Sequence, residues 1–278
     1  MIERWVGRMT RSTQGLLPLS VSSRLVGLKR SLQSPQQSAQ TGDTEEERFR
    51  AGFPSLPGFL EHIRENGFVP PAILDVGANA GEWSRVAASI FTSSRILMFD
   101  GDPQNKPLLH NTAKEIGIRS QYHLGLLGAE KKTAVTLYRP EVGTTGSSLL
   151  PELTSFGKQA ITLSMDTLDS VLEGTVLSAS LLMKLDVQGF ELEILKGGRR
   201  TLGLSEVVIL ETSLLPYNAG APLFAEVVAF MDDAGFAVFD FCGQGRRESD
   251  HVLFQTDIAF VRRESRLRTP RRFWLSEP

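Results

Sequence analysis

Cysteine is almost absent: Cys242 stands alone in 278 residues, which excludes an intrachain disulfide and any Cys-rich zinc site. The lone thiol reads as a core residue of a protein kept in a reducing compartment. Long apolar runs are missing too. None approaches the ~18 to 20 residues that cross a bilayer, and the N-terminus has neither a long hydrophobic region nor a small-residue cleavage site, so the expected location is the cytoplasm. Histidine is scarce, and His62, His110, His123 and His251 show no mutual spacing of the kind that binds a metal. Charge of one sign is not in excess: at a net −2 the chain has no global attraction for polyanions, so contact with nucleic acid or membrane has to come from a local patch.

Two such patches exist, one at each end. Within residues 1–50, Arg4, Arg8, Arg11, Arg24, Lys29 and Arg30 face one acid, Glu3, before a Ser/Gln-rich stretch and a run of acids at 43–47. Trp5, Val6 and Met9 can share a helical face, which suits a peripheral contact with anionic lipid at the inner membrane face; a mobile extension is the plainer alternative. The second patch, 264–278, carries Arg266, Arg268, Arg271 and Arg272 ahead of Phe273 and Trp274 and reads as a solvated tail. Arginines without a recognisable nucleic-acid module argue against nucleic acid as a partner. Between these ends, 51–263 reads as one folded domain.

In that domain short apolar runs alternate with amphipathic stretches. Phe59, Leu60 and Ile63 place a helix that the Pro70-Pro71 pair would stop. Ala72-Ile73-Leu74-Asp75-Val76 is the apolar run of a buried parallel strand, and 82–90 a helix. A second strand, 95–99, ends at Asp100, and a helix opened near Pro103 continues through Leu108, Leu109, Ala113 and Ile116. This βαβα pattern predicts a doubly wound α/β sheet. Residues 121–126 make the third strand, 134–138 alternate like an exposed antiparallel strand, and 161–163 form a further short one. A short helix follows over 168–172. Buried strands at 181–185 and 207–210 lead into helices over 190–195 and 223–233. No long crossover separates the last strands, 237–241 and 258–261, so a closing antiparallel hairpin is expected on an otherwise parallel sheet.

Asp75-Val76-Gly77-Ala78-Asn79-Ala80-Gly81 lies between the first strand and its helix, where glycine lets backbone approach a ligand and a helix N-terminus offers free N–H groups. A nucleoside belongs there. The dinucleotide fingerprint is lacking: counting G-x-G-x-x-G from Gly77 puts Asn79 and Glu82 at the second and third glycine positions, and Glu82 would set negative charge against phosphate. A cationic sulfonium with an amino-acid tail needs no phosphate cradle and can be held by acids such as Asp75. Asp100, at the tip of the second strand, can accept hydrogen bonds from both ribose hydroxyls, or else cap the helix near Pro103, a task that Asp102 also fits.

With these residues in view, the stretch from about 72 to 261 resembles the FkbM family of class I S-adenosylmethionine-dependent methyltransferases. The likeness rests on DVGANAGEWS (75–84), MFDGDPQN (98–105), SMDTLDSVL (164–172), MKLDVQGFELEILKGG (183–198) and VVILETSLLPYNAGAPLFAEVVAFMDDAGF (207–236). It implies a Rossmann-like class I fold, an α/β sheet of seven strands in the order 3-2-1-4-5-7-6 with the last antiparallel. It also implies S-adenosylmethionine as cofactor, held by Asp75, Gly77, Ala78, Asn79, Gly81, Asp100 and Gly101. The reaction implied is O-methylation of a hydroxyl, with sugars of glycolipids, polysaccharides and glycosylated natural products, and polyketides, among the acceptors. Two departures stand out. Asp100-Gly101 replaces the family's usual Glu-Pro, and the shorter carboxylate still reaches a ribose. Gln188 stands where the family often has Glu; an amide takes no proton at neutral pH, so Gln188 positions by hydrogen bonding and the base lies elsewhere.

Methyl transfer is an in-line displacement in which positioning contributes most, with effective molarities of roughly 10⁵ to 10⁸ M, while a general base adds about 10² to 10⁴. Asp186, ending the fourth core strand at the sheet's carboxyl edge, is the first candidate for that base; capping the helix that begins near Gly189 is its alternative task. Glu211, ending the fifth strand, comes second, and His123 on the third strand is the histidine to test. Glu191 is a substrate contact or a first-turn acid favoured by the helix dipole. Lys184 is expected to pair with an acid along its buried strand. The loops 143–148 and 217–220, with Tyr217, are candidate gates for a small-molecule or glycoconjugate acceptor. Two other classes make opposing demands: a noncatalytic nucleoside-binding protein needs no acids at the ends of strands four and five, and an NAD(P)-linked oxidoreductase needs the missing glycine spacing.

Overall fold

The structure is a computed structural model that describes residues 55–154 and 157–269; the basic arm at 1–50 and the tail beyond 269 lie outside the described residues. Ser55 opens the first helix, α1 (Leu56–Glu65), its hydroxyl accepting from Gly58 N at 3.2 Å. Phe59, Leu60 and Ile63 are buried as their spacing predicts. The helix stops sooner than the proline pair requires, because Gly67 turns left-handed (φ 88°) just past its end.

From there strands and helices alternate: β1 (Ala72–Val76), α2 (Glu82–Ile90), β2 (Arg95–Asp100), a 3₁₀ turn (Pro103–Asn105) running into α3 (Lys106–Ile116), and β3 (Ser120–Leu124). Next come β4 (Leu126–Leu127), β5 (Lys132–Pro140), β6 (Lys158–Asp166) and the short α4 (Leu168–Val171). The chain continues with β7 (Leu181–Leu185), α5 (Glu191–Gly197), α6 (Arg199–Leu204), β8 (Ser205–Ser213), α7 (Phe224–Asp233), β9 (Phe236–Arg246) and β10 (Leu253–Arg262). No helix among the described residues is long and apolar enough to cross a membrane.

The main sheet runs β3-β2-β1-β7-β8-β10-β9, with β10 antiparallel to both neighbours. Counting only its own strands in chain order, this is 3-2-1-4-5-7-6 with the last reversed, the order the resemblance implied. Both faces are covered. Leu74, Leu97, Met183, Leu210 and Phe236 belong to one apolar core, while Ile73, Ile96, Leu182, Val207 and Cys242 belong to the other, alternation along each strand sending neighbours to opposite faces.

Two features depart from the pattern read in the sequence. The expected third strand, 121–126, breaks at Gly125, whose N–H turns to the Asp100 carbonyl at 2.9 Å. Leu126 and Leu127 then pair with Met165 and Asp166 in a separate three-stranded sheet, β4-β6-β5, around Leu126, Leu137 and Met165. The final hairpin is also longer at its polar end. β9 and β10 reach Arg246 and Leu253, well beyond the apolar runs 237–241 and 258–261, and this draws Gln255 and Asp257 into the sheet.

Gly77 sits where β1 meets β7. Its φ is 85°, and a Cβ built there would lie 1.9 Å from the Asp186 carbonyl oxygen. Gly67 shares the left-handed backbone but has nothing within 4 Å of such an atom. Gly67→Ala is therefore expected to cost only the left-handed penalty of about 1–2 kcal/mol. Gly77→Ala adds overpacking of about 1–3 kcal/mol or more to the same penalty. Urea unfolding of the pair measures the difference, and equal losses would show that the β1–β7 corner has slack.

Candidate active site

The glycine corner and the tip of β2 face each other. Gly77 N and Ala78 N both donate to the Phe99 carbonyl, at 2.9 and 3.0 Å, and Asn79 N donates to Asp100 Oδ2 at 2.7 Å. Asp100 Oδ1 accepts from Asp102 N at 2.8 Å and from Asn105 Nδ2 at 2.9 Å. Burial raises the Asp100 pKa and these donors hold it back. Capping falls to Asp102, which accepts from Gln104 N at 3.0 Å, so Asp100 is left at the corner. Gly81 opens α2 with φ 74°, and Gly101 lies so close to Leu126 that a Cβ would approach its Cδ2 to 2.6 Å.

Asp75 is placed differently from its expected role. Only 1% exposed, it accepts from Ser84 Oγ at 2.6 Å and is closed off from a ligand, so direct contact with a sulfonium gives way to anchoring α2. The cause is its place inside β1, before the strand's end. Burial pushes its pKa up to about 6, partly offset by Lys184, its register partner on β7.

At the carboxyl ends of β7 and β8 the acids gather around one cation. Lys184 Nζ meets Asp186 Oδ2 at 3.0 Å and lies 5.9 Å from the Trp83 ring centroid. Gln188 Nε2 donates to Asp186 Oδ1 at 3.1 Å and to Glu211 Oε2 at 2.6 Å, and Gln255 donates to the other Glu211 oxygen. Asp186 keeps 32% of its side chain exposed. Burial opposes its charge, but the Lys184 ammonium and the hydrogen bonds from Lys184, Glu211 and Gln188 together outweigh that and hold its carboxyl below the usual range. Glu211 goes the other way: burial first, then the charges of Asp186, Asp257 and Glu191, raise it well above an ordinary glutamate. A hydrogen bond from Glu211 adds to those from Lys184 and Gln188 in favouring the ionised form of Asp186.

The remaining candidates divide. Glu191 is buried, accepts from Val187 N at 2.9 Å and Gly189 N at 3.2 Å, and is pushed by burial up to about 7, so it braces the loop that carries Gln188. Tyr217 packs on Phe254 and donates to Glu152, which is ion-paired to Lys158 at 2.6 Å. His123 sits on β3, with β2 and β1 between it and β7, a separation of roughly 14 Å at normal strand spacing. Burial lowers its pKa, and its ring tilts against Phe99. It shares no hydrogen bond with Asp186 or Glu211 and is not brought to that pair. Asp257, opposite Glu211 in register and pushed by burial up to about 6, was not singled out in the sequence, nor was Gln255; Ser148 and Asn218 fell within the candidate gates 143–148 and 217–220 without being named. Among the described residues no group of three or more His, Cys, Asp or Glu is placed to hold a metal ion.

A doubly wound sheet in this strand order, with a glycine corner facing an acid on the next strand, is the Rossmann-like class I methyltransferase fold. The methyltransferase FkbM domain matches residues 75–238, and the chain belongs to that family, in which S-adenosylmethionine is the methyl donor. Among solved structures it is similar to the methyltransferase FkbM from Methylobacillus flagellatus KT, at 16% identity and a TM-score of 0.43, covering 69% of this chain and 44% of that one. The chain thus spans less than half of that protein's length. It is also similar to magnesium protoporphyrin IX methyltransferase from Synechocystis PCC 6803 with bound SAH, at 12% identity and a TM-score of 0.43, covering 84% and 92% of the two chains. A third is an O-methyltransferase family protein from Burkholderia thailandensis, at 13% identity and a TM-score of 0.42, covering 78% and 57%. No curated protein matches the chain.

The residues present fit the cofactor. Among the described residues, the buried side-chain polar atoms with no hydrogen-bond partner are Asn79 Oδ1, Trp83 Nε1 and Asn105 Oδ1. Folded proteins rarely leave such atoms unpaired. All three belong to residues around the glycine corner and Asp100, where a nucleoside with an amino-acid tail brings polar partners.

The raised Glu211 has a signature in stability. In the unfolded chain it ionises near the ordinary glutamate value, while in the fold it keeps its proton to higher pH. Folding therefore loses up to about 1.4 kcal/mol per pH unit from this group between the two values. Glu211→Gln removes the titration and still accepts from Gln188. The variant is expected to match the wild type near pH 4 and to gain on it steadily as pH rises, in urea melts across that range. A gap that stays flat with pH would mean that Glu211 ionises normally.

Proposed function

We propose that this chain transfers a methyl group from S-adenosylmethionine to an aliphatic hydroxyl, and that the hydroxyl belongs to a sugar of a glycolipid, polysaccharide or glycosylated natural product. The observation that carries the reading is the Asp186–Glu211 pair, two carboxyls whose surroundings push their pKa values apart beside the glycine corner. A phenol or carboxylate acceptor ionises with little help, whereas a sugar hydroxyl holds its proton until a base takes it. A cytoplasmic setting, with the basic arm at 1–50 meeting an anionic membrane that carries the acceptor, belongs to the same proposal.

When bound, S-adenosylmethionine supplies an electrophilic methyl group on a cationic sulfur. Gly77, Ala78, Asn79, Gly81 and Gly101 form the backbone corner that would hold it, and Asp100 would receive the ribose hydroxyls. On the acceptor side, Asp186 is the carboxyl held toward its charged form and keeps 32% of its side chain exposed, so it takes the hydrogen bond of the incoming hydroxyl. An oxygen that is gaining a carbon becomes a far stronger acid than any carboxylic acid, and a carboxylate of low pKa suffices to remove its proton. Lys184 keeps Asp186 ionised until then. Glu211, raised well above an ordinary glutamate by burial and the acids around it, orients Asp186 rather than competing with it.

Asp186→Asn is expected to lower turnover by about 10² to 10⁴ while leaving calorimetric affinity for S-adenosylhomocysteine unchanged. Asp100→Ala should weaken that affinity by about 10- to 100-fold, the loss of charged hydrogen bonds of about 1.5–3 kcal/mol. Metabolites of deletion and wild-type cells, searched for a product short of one methyl, identify the acceptor. Binding of NAD in place of either sulfur ligand would overturn the reading.

A further inference from the structure

Gln188 joins the two acids only because its backbone is held in an uncommon state. Its φ is 58°, in the left-handed region that residues other than glycine seldom enter. The carbonyl of Gln188 accepts from Ser148 Oγ at 2.9 Å and from Asn218 Nδ2 at 2.9 Å, while the flanking amides of Val187 and Gly189 go to Glu191. Ser148 and Asn218 come from loops far apart in the chain, are 3% and 4% exposed, and converge on this one atom. Ser148 is itself fixed, paired with Tyr138 through both backbone groups and accepting from Leu150 N at 3.0 Å. A buried hydroxyl and a buried amide aimed from two loops at a single carbonyl hold a conformation that local preference would not choose.

We propose that Ser148 and Asn218 are positioning residues for methyl transfer: by gripping the Gln188 carbonyl they keep that residue in the conformation from which its side-chain amide bridges Asp186 and Glu211. The inference rests on the methyl-transfer reading for its purpose but not for its geometry. Released from the two donors, Gln188 relaxes out of the left-handed region and its amide swings off the acids. Asp186 and Glu211 then each lose a hydrogen bond that favours the ionised form, and both hold their protons to higher pH. Cofactor binding is not expected to follow, because the same loop meets the glycine corner through other residues: Asn79 Nδ2 donates to Thr144 O at 3.2 Å and Ser147 Oγ to Asp102 Oδ2 at 3.2 Å.

The test uses the full chain carrying Ser148→Ala, Asn218→Ala or both, with Ser148→Thr as the conservative variant that keeps the hydroxyl. The side-chain carboxyl carbons of Asp186 and Glu211 are followed through a pH titration by NMR, alongside kcat, KM and S-adenosylhomocysteine affinity. The double variant should move both titrations upward and lower kcat by about 10²-fold, the cost of a displaced reacting group, with KM and cofactor affinity little changed. Ser148→Thr should restore the wild-type titrations. Titrations that stay in place in a folded double variant overturn the proposal. Should circular dichroism show the double variant unfolded, each single variant, which leaves one donor on the carbonyl, carries the same comparison. The NMR arm decides the positioning role even if no acceptor is methylated, so a failure of the proposed reaction is told apart from a failure of this inference.

Discussion

A single buried ammonium sets the charge of the whole site. Lys184 is 4% exposed, and burial works against its charge; Asp186, Asp75 and Asp257 together outweigh that and hold it charged. One cation cannot fully compensate all the acids nearby. Asp186 touches it and is held below the usual carboxylate range, Asp75 and Asp257 feel it across the sheet and are left near 6, and Glu211 is pushed well above an ordinary glutamate. A buried pair of this kind adds little net stability, since desolvation offsets most of the attraction, whereas losing one partner costs about 3–5 kcal/mol. Its value lies in selection. Lys184 sets the carboxyls apart, favouring the charged form of Asp186 while burial and neighbouring acids favour the neutral form of Glu211.

The frame that carries this charge was legible in the sequence because parallel strands covered on both faces must be mostly apolar. Ala72–Val76 and Leu181–Leu185 are buried at every position, as their composition demands. In such a sheet the first polar residue after an apolar run stands at the carboxyl edge, where ligands bind. That rule located Asp100, Asp186 and Glu211, and the glycines of DVGANAG located the corner beside them.

The same rule explains what was missed. β10 is antiparallel, so its functional end precedes its apolar run, and a reading that looks just past each strand finds Arg262 instead of Asp257 and Gln255. Asp75 was over-read for a related reason: it is polar within a run, not after one, and its side chain lies beneath α2. Ser148 and Asn218 belong to loops read only as gates, with no period to mark single residues, and their meeting at the Gln188 carbonyl appears only in the fold. His123 sits at the end of a strand as the rule asks, but strand order puts it on the far side of the cofactor corner.

Strand order alone does not align the two halves of the site. Asp100 and Asp186 stand on strands separated by β1, and sheet spacing of about 4.8 Å per strand sets their distance only coarsely. An in-line displacement demands more, since a misplacement of about 1 Å can cost 10²-fold. The finer adjustment comes from the loop that the small sheet carries between β5 and β6. Residues 144–148 touch Asn79, Asp102 and Gln188 in turn, and Lys158, itself fixed to Glu152, ties the loop down through the Gly146 carbonyl at 2.8 Å. A segment bonded at one end to the glycine corner and at the other to Gln188, which bridges Asp186 and Glu211, makes the separation of corner and acids a property of hydrogen bonds rather than of sheet spacing. The break at Gly125, which sends the chain out of the main sheet to build that second one, is therefore part of how the site is aligned.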